Sequence, residues 1–417
     1  MLRIRQTGEP PRLGDVRARL DDALHAFGLR DRLGDGDRVA LAVGSRGIRD
    51  LRTVLRTLVA AVRGAGAHPF IVPCMGSHGG ATAAGQEAVL AELGVTEAGA
   101  GAPVVSSMDA VEVATSRFGA PVWASPDLLG ADAVVVVNRV KPHTDFSGPL
   151  ESGIAKMLVV GAGKHRGALE AHRLFVRHGF VAVLEEYTRH LLRELPVVCA
   201  VAVIENQFDE TAEVHVLGGD EVLPAEPALL DRARELMPSL PFAHIDCLLV
   251  DEMGKDISGS GMDANVIGRK PGDERRPDVT RIVVRDLTPA SEGNALGIGF
   301  ADFTTTRLVE RIDRGATAVN AVTAMAPGLA KVPLAFARDV DALEAAYVTS
   351  GAASAGEFRL AWIRNTLEVE EMLVSEALAG DLDAASGVRV VAGPLPLPVD
   401  ASGGLAAGWP SRGEVHP

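Results

Sequence analysis

The run "ADAVVVVN" at 131–138 is the strongest constraint on what this chain can become. Four consecutive valines have no polar face, so a strand made of them must be covered on both sides. That is the condition of an inner strand in a parallel sheet with helices on each face. The flanking pattern agrees. "RVALAV" (38–43) reads as a strand, and 50–66 follows with helical spacing and a glycine stop. "HPFIVPCMG" (68–76) is a second strand, 82–95 a second helix, and "PVVCAVAVIE" (196–205) a further strand. Strands alternating with helices predict an α/β fold with parallel-rich sheets.

At 417 residues the chain exceeds one ordinary core, so two α/β domains with an active-site crevice between them are expected. The alternation breaks at "PSLPFAH" (238–244) and restarts at "IDCLLVDEMG" (245–254). It continues with "RIVVRDL" (281–287), "DFTTTRLVERI" (302–312), a long helix through "NTLEVEEMLVSEALAG" and a last strand within 387–399. The predicted division is therefore 1–240 for a first α/β domain, which carries the candidate site residues discussed below, and 241–395 for a second α/β domain. For the tail 396–417 the choice lies between packing back on the first domain and hanging loose.

Charge narrows the function. Lys and Arg total 41 against 55 Asp and Glu, a net charge of −14, unlike proteins that use a basic face for nucleic acid or membrane surfaces. Cys74, Cys199 and Cys247 are dispersed and odd in number, which opposes a disulfide framework or a structural zinc site. No signal-peptide run or membrane-length apolar stretch is present, so the expectation is a cytoplasmic protein with a small-molecule substrate.

Three strand ends carry chemistry. The first continues into "VGSRGIRD" with Arg46, the second into "CMGSHGG" with His78, and the third into "NRVKPHTDFSG" with His143. Ligands in open α/β sheets bind beyond the carboxyl ends of the strands, where these residues sit. The stretch from Arg139 to Arg173 holds six basic residues against three acids, a local excess suited to an anionic ligand. "GAGKH" (161–165) is not a phosphate-binding P-loop: Leu158 stands where the first glycine belongs, and His165 where Ser or Thr belongs. "GSGMDANVIGR" lacks the spacing of a nicotinamide-binding fingerprint. His165 and His178 read as solvated helix residues. With aromatics at 4%, no stacking platform for a ligand is evident.

Taken in order, "SRG", "GSHGG", "KPH…FSG…SG..K" and a histidine sixteen residues after that lysine resemble the nickel-pincer lactate racemase family. The resemblance covers the first domain. In the second, "GKDISGSGMDANVIGR" is similar to a subgroup of isomerases in that superfamily. It implies two α/β domains, a racemase or epimerase acting at C2 of a 2-hydroxy acid, and a specific cofactor. The cofactor is pyridinium-3-thioamide-5-thiocarboxylic acid mononucleotide, a nickel-pincer nucleotide that holds Ni through S, C and S. Residue by residue, the resemblance implies Lys156 as the covalent cofactor lysine, with Ser147, Gly148 and Gly79 near the cofactor. It implies His172 as the nickel ligand, His78 and His143 as the two bases, and Arg46 as the substrate carboxylate partner. Lys255, Asn265 and Arg269 are the second-domain candidates for substrate contact.

This chain departs from the family pattern in two places. Val43 replaces an acidic residue three positions before the arginine, and the interval from His143 to Lys156 is longer by the "PLE" region. Both bear on the substrate more than on the cofactor.

The chemistry is coherent on its own terms. Hydrogen at C2 of a hydroxy acid is too weakly acidic for a histidine to remove as a proton. Removal as hydride leaves histidine only the hydroxyl proton, which suits its pKa. Two other readings compete: a metal-dependent hydrolase or lyase using His78, His143 and His172 as ligands, and a non-catalytic binding module for a phosphorylated metabolite.

Overall fold

The structure is a computed structural model, and it describes residues 1–45, 47–270, 277–382, 387–406 and 409. Fifteen strands are present among them. In chain order they are β1 (Leu2–Gln6), β2 (Arg38–Val43), β3 (His68–Pro73), β4 (Val111–Thr115), β5 (Pro121–Ala124), β6 (Ala133–Arg139), β7 (Val197–Glu205) and β8 (Thr211–Gly218). The chain continues with β9 (His244–Met253), β10 (Asp278–Leu287), β11 (Phe303–Thr305), β12 (Leu334–Phe336), β13 (Leu360–Ile363), β14 (Glu371–Val374) and β15 (Val388–Ala392). It is an α/β protein made of two compact units, one of Pro10–Met237 and one of Met1–Glu9 with Pro238–Pro417.

The first unit is built on a sheet ordered β3-β2-β6-β7-β8, with parallel pairs throughout except the antiparallel edge β8. Val134, Val135, Val136 and Val137 of β6 are each 0% exposed. Alternate valines enter different cores: Val134 and Val136 lie in one apolar cluster, Val135 and Val137 in the other. A fully buried valine contributes roughly 1.5–3 kcal/mol, so this strand draws stability from both faces. The helix Leu51–Gly64 covers one face, burying Leu51, Val54, Leu55, Leu58 and Val62 at helical spacing.

The second unit holds an eight-stranded sheet in the order β12-β11-β10-β9-β13-β14-β1-β15. Strands β12 to β13 are parallel, and the pairs beyond are antiparallel.

Three expectations are corrected here. Residues 1–9 do not belong with the first unit: β1 lies between β14 and β15, and Ile4 at 0% exposure fills the second unit's sheet. The long helix read through 365–380 is instead the strand β14 followed by the short helix Glu376–Ala379. Pairing with β1 and β13 outweighs the helix propensity of Glu, Met and Leu there. The described part of the tail packs in the second unit, with Leu405 N–H donating to Asp339 and the Trp409 indole to Asp251. Residues 407, 408 and 410–417 lie outside the described residues. No described helix is long and apolar enough to cross a membrane.

Because β1 fills the gap between β14 and β15, a chain lacking residues 1–9 should lose the second unit's cooperative unfolding while Pro10–Met237 keeps its own. Hydrogen exchange by mass spectrometry checks this: β14 and β13 should lose protection and β6 should not. Unchanged protection across 360–374 would contradict it.

Candidate active site

The carboxyl ends of three adjoining strands form the floor of the site. Val43 of β2 is in register with Pro73 of β3 on one side and Val137 of β6 on the other. The segments that leave these three strands therefore start side by side. Arg46 lies outside the described residues, but its neighbour Ser45 is described. The Ser45 hydroxyl and His78 Nδ1 are 2.7 Å apart, so the first two strand ends meet directly. The His78 ring is exposed.

Gly79 has φ +64, and a Cβ on it would stand 2.4 Å from the carbonyl carbon of Gly85. This close approach of chain to chain, at the entry of the helix Ala83–Glu92, accounts for the glycine there. Buried Gln86 fastens the same loop by donating to Gly76 O at 2.9 Å.

The third strand end is a closed loop. Lys141 and Ser152 exchange two backbone hydrogen bonds at its base, at 2.8 and 3.2 Å. Inside it Glu151, 1% exposed, accepts from His143 N–H at 2.6 Å and Gly148 N–H at 3.1 Å. Its Oε1 also meets Arg234 Nη2 at 2.5 Å, and the same guanidinium nitrogen donates to Gly148 O at 2.8 Å. The "PLE" interval that lengthens this loop thus supplies its central anchor.

His143 is buried, and its Nδ1 accepts the Asp145 backbone N–H at 3.0 Å. Its ring stacks on Phe146 with centroids 4.4 Å apart; Phe146 stacks on Phe180 at 3.8 Å, and Phe180 on Phe175 at 4.6 Å. Phe146, close to His143 in sequence, thus meets Phe175 and Phe180 from two successive helices, and because Phe146 and Phe175 are buried the stack supports the His143 ring from within the core. Ser147 and Gly148 lie at the end of this loop, half-buried.

Lys156 closes the short helix Ile154–Lys156, which runs into a π-helical stretch, Met157–Ala162. Its Nζ lies 5.6 Å from the Phe146 ring centroid, on the same stack that supports His143. The turn before it is held by Asn138 of β6, whose Nδ2 donates to Gly153 O at 2.7 Å.

Fully buried Glu226, from the helix Val222–Leu236, accepts Ala155 N–H at 2.9 Å. A Cβ on Gly153 would lie 2.3 Å from Glu226 Oε1, so only glycine lets the carboxyl approach. That oxygen has no hydrogen-bond partner, and burial pushes the Glu226 pKa up to about 7 against the opposing pull of the Ala155 and Ile154 amides. Neither Glu226 nor Arg234 carries a local motif that marks it. The sequence signal was confined to the residues they support.

His172 sits in the helix Lys164–His178, with Nδ1 2.6 Å from Ala168 O. A carbonyl only accepts, so Nδ1 carries the hydrogen and the lone pair is left on Nε2. Burial first, and the nearby Lys156 charge as well, lower its pKa; the Ala168 carbonyl and Asp145 oppose them. The ring is thus held neutral in one tautomer, the state in which imidazole binds a metal, with its second nitrogen oriented by a carbonyl. Its edge meets Phe175 at 5.5 Å.

His165 is exposed, and exposed His178 stacks on Phe118 at 4.4 Å. Lys164 is 0% exposed and donates to Pro73 O at 2.6 Å, so it bolts the helix start to β3. Among the described residues no group of three or more His, Cys, Asp or Glu gathers to hold a metal ion.

The second unit's candidates have partners within that unit. Lys255 Nζ donates to Asn320 Oδ1 at 2.9 Å and Asn265 Nδ2 to Asp263 Oδ1 at 2.7 Å. Arg269 donates to the carbonyls of Val279 and Thr280 and pairs with Asp302 at 3.3 Å.

Glu226 yields a pH prediction. Its folded pKa, near 7, lies above the ordinary 4.5, so the folded state holds the proton more tightly. Stability should therefore fall as pH rises from about 4.5 to about 7 and then level, by up to about 3 kcal/mol from this group. Glu226→Gln keeps an acceptor for Ala155 N–H without ionising. Denaturant titrations should show the variant gaining on the native chain between pH 4.5 and 8; a constant difference would contradict the burial argument.

No protein-family model matches the chain, and no curated protein matches it. Among solved structures, the lactate racemase apoprotein from Thermoanaerobacterium thermosaccharolyticum aligns with a TM-score of 0.47 and 13% identity, over 67% of this chain and 69% of that one. A protein from Thermotoga maritima aligns with a TM-score of 0.48 and 12% identity, over 76% of this chain and 84% of that one.

Proposed function

We propose that this chain is a racemase or epimerase that inverts C2 of a 2-hydroxy acid with a nickel-pincer pyridinium nucleotide. The observation that carries the reading is the grouping of Lys156, His143 and His172 around one aromatic stack, with His172 neutral and fixed as the Nδ1–H tautomer. The donor set suits the group. Lys156 is the amine for the covalent thioamide link, and His172 Nε2 offers the imidazole lone pair that nickel favours beside sulfur. When bound, the cofactor supplies an electrophilic carbon for the C2 hydrogen.

The chain's own residues do the remaining work. His78 and His143 serve opposite faces of the substrate, one taking the hydroxyl proton as C2 becomes a planar keto centre, the other returning a proton after inversion. Arg46 is the proposed carboxylate partner through a charge-assisted contact. The Glu151–Arg234 pair keeps the His143 loop in place, which limits the reorganisation needed at each turnover.

Chain produced together with the cofactor-assembly enzymes should carry nickel. His172→Ala should lose that nickel and His165→Ala should retain it; the reverse pattern would assign the ligand to the wrong histidine. A panel of enantiopure 2-hydroxy acids, read by chiral chromatography, identifies the substrate. His78→Ala and His143→Ala should each slow inversion by at least about 10²-fold. With deuterium at C2, the label should stay on carbon in the inverted product, whereas rapid wash-out into solvent would mean a carbanion route.

A further inference from the structure

His143 presents a difficulty for any reaction in which it alternately takes and gives a proton. Because Nδ1 accepts the Asp145 backbone N–H at 3.0 Å, the neutral ring carries its hydrogen on Nε2. In that state Nε2 has no lone pair for a hydroxyl proton. Yet the carboxylate of the same residue stands beside the same nitrogen, with Asp145 Oδ2 3.8 Å from Nδ1. Its other oxygen, Oδ1, accepts from the Thr144 hydroxyl at 3.1 Å. The ring is buried and stacked on Phe146 at 28°, so the edge it shows to Asp145 is set by packing.

We propose that Asp145 is a positioning residue that gives His143 two seats: its backbone N–H holds the Nε2–H tautomer, and its carboxylate holds the ring with a proton on Nδ1. The assignment rests on the racemase reading for its purpose, but not for its geometry. The proton balance is simple. Uptake of one solvent proton at Nδ1 moves that nitrogen from the N–H to the carboxylate and gives an imidazolium neutralised by Asp145. Release of the Nε2 proton to a substrate oxygen leaves the neutral Nδ1–H form. Return of a hydroxyl proton to Nε2 restores the imidazolium. The catalytic cycle runs between these last two forms, and the backbone seat is the state outside it.

The other charges around the ring do not duplicate this role. Glu151 is occupied by the His143 and Gly148 amides and by Arg234 from the helix Val222–Leu236. Lys156 lies over Phe146 and opposes protonation of a neighbouring imidazole. The helix Phe180–Glu194 presents the apolar ring of Phe180, 6.5 Å away.

The test uses the full chain without cofactor, labelled with ¹⁵N-histidine, and long-range ¹H–¹⁵N correlation spectra across pH. His143→Gln identifies the His143 signals. The native ring should be Nε2–H at high pH and gain its second proton on Nδ1 as pH falls. Asp145→Asn keeps the backbone N–H but removes the carboxylate, so His143 should protonate about one pH unit lower, and Asp145→Glu should recover part of that difference. In cofactor-loaded enzyme, Asp145→Asn should lower kcat about 10-fold or more with KM little changed. The loss in kcat/KM must be the same from either enantiomer, because their equilibrium constant is one. Unchanged protonation of His143 in Asp145→Asn, or an Nδ1–H tautomer in the native chain at high pH, would overturn the assignment. If the spectra behave as expected and the native loaded enzyme inverts no 2-hydroxy acid, the two seats stand and the racemase reading falls.

Discussion

The parallel register that aligns Val43 with Pro73 and with Val137 places everything else in the candidate site. It brings the residues after β2, β3 and β6 to one edge of one sheet, and it holds because β6 is buried on both faces. A polar residue among its four valines would put an unpaired group into one of two packed cores, at a cost of roughly 1–3 kcal/mol. The site is therefore mounted on a strand held by packing on both faces. The contact between Ser45 and His78 shows the outcome at the level of side chains.

A second layer comes from one helix. Val222–Leu236 sends Glu226 to the turn that carries Lys156 and Arg234 to the loop that carries His143. Two buried carboxyls do the fastening, under different conditions. Glu151 has a guanidinium partner and two amides, whereas Glu226 has amides only and keeps one oxygen unpaired. Unpaired burial raises the pKa of Glu226, while the pairing of Glu151 follows the rule that a buried charge needs both an opposite charge and hydrogen bonds.

The sequence made the frame of this arrangement legible and left its supports hidden. Alternating strands and helices, and histidines directly after apolar runs, could be read because they depend on neighbours in the chain. Glu226 and Arg234 act on residues more than seventy positions away, and nothing local distinguishes them from solvated helix residues. The same limit hid β1, whose five residues pair with the strands β14 and β15, far along the chain. It also turned β14 into an apparent helix, since pairing rather than propensity decides that segment. Phe146, Phe175 and Phe180 are too few to register in composition, and their concentration beside His143 is a product of folding. Lys164, part of the basic cluster in the sequence, is a buried strut rather than a ligand-facing charge.

A neutral, oriented His172 and a lysine on an aromatic stack suit the proposed chemistry, in which histidine moves only hydroxyl protons. That chemistry requires the cofactor to be attached at Lys156, the residue proposed to hold it. Intact-mass measurement followed by peptide mapping, on active chain produced with the cofactor-assembly enzymes, tests that most directly. A single added mass is expected on the peptide containing Lys156, absent from Lys156→Ala. An active preparation of unmodified mass, or an adduct on another lysine, would contradict it.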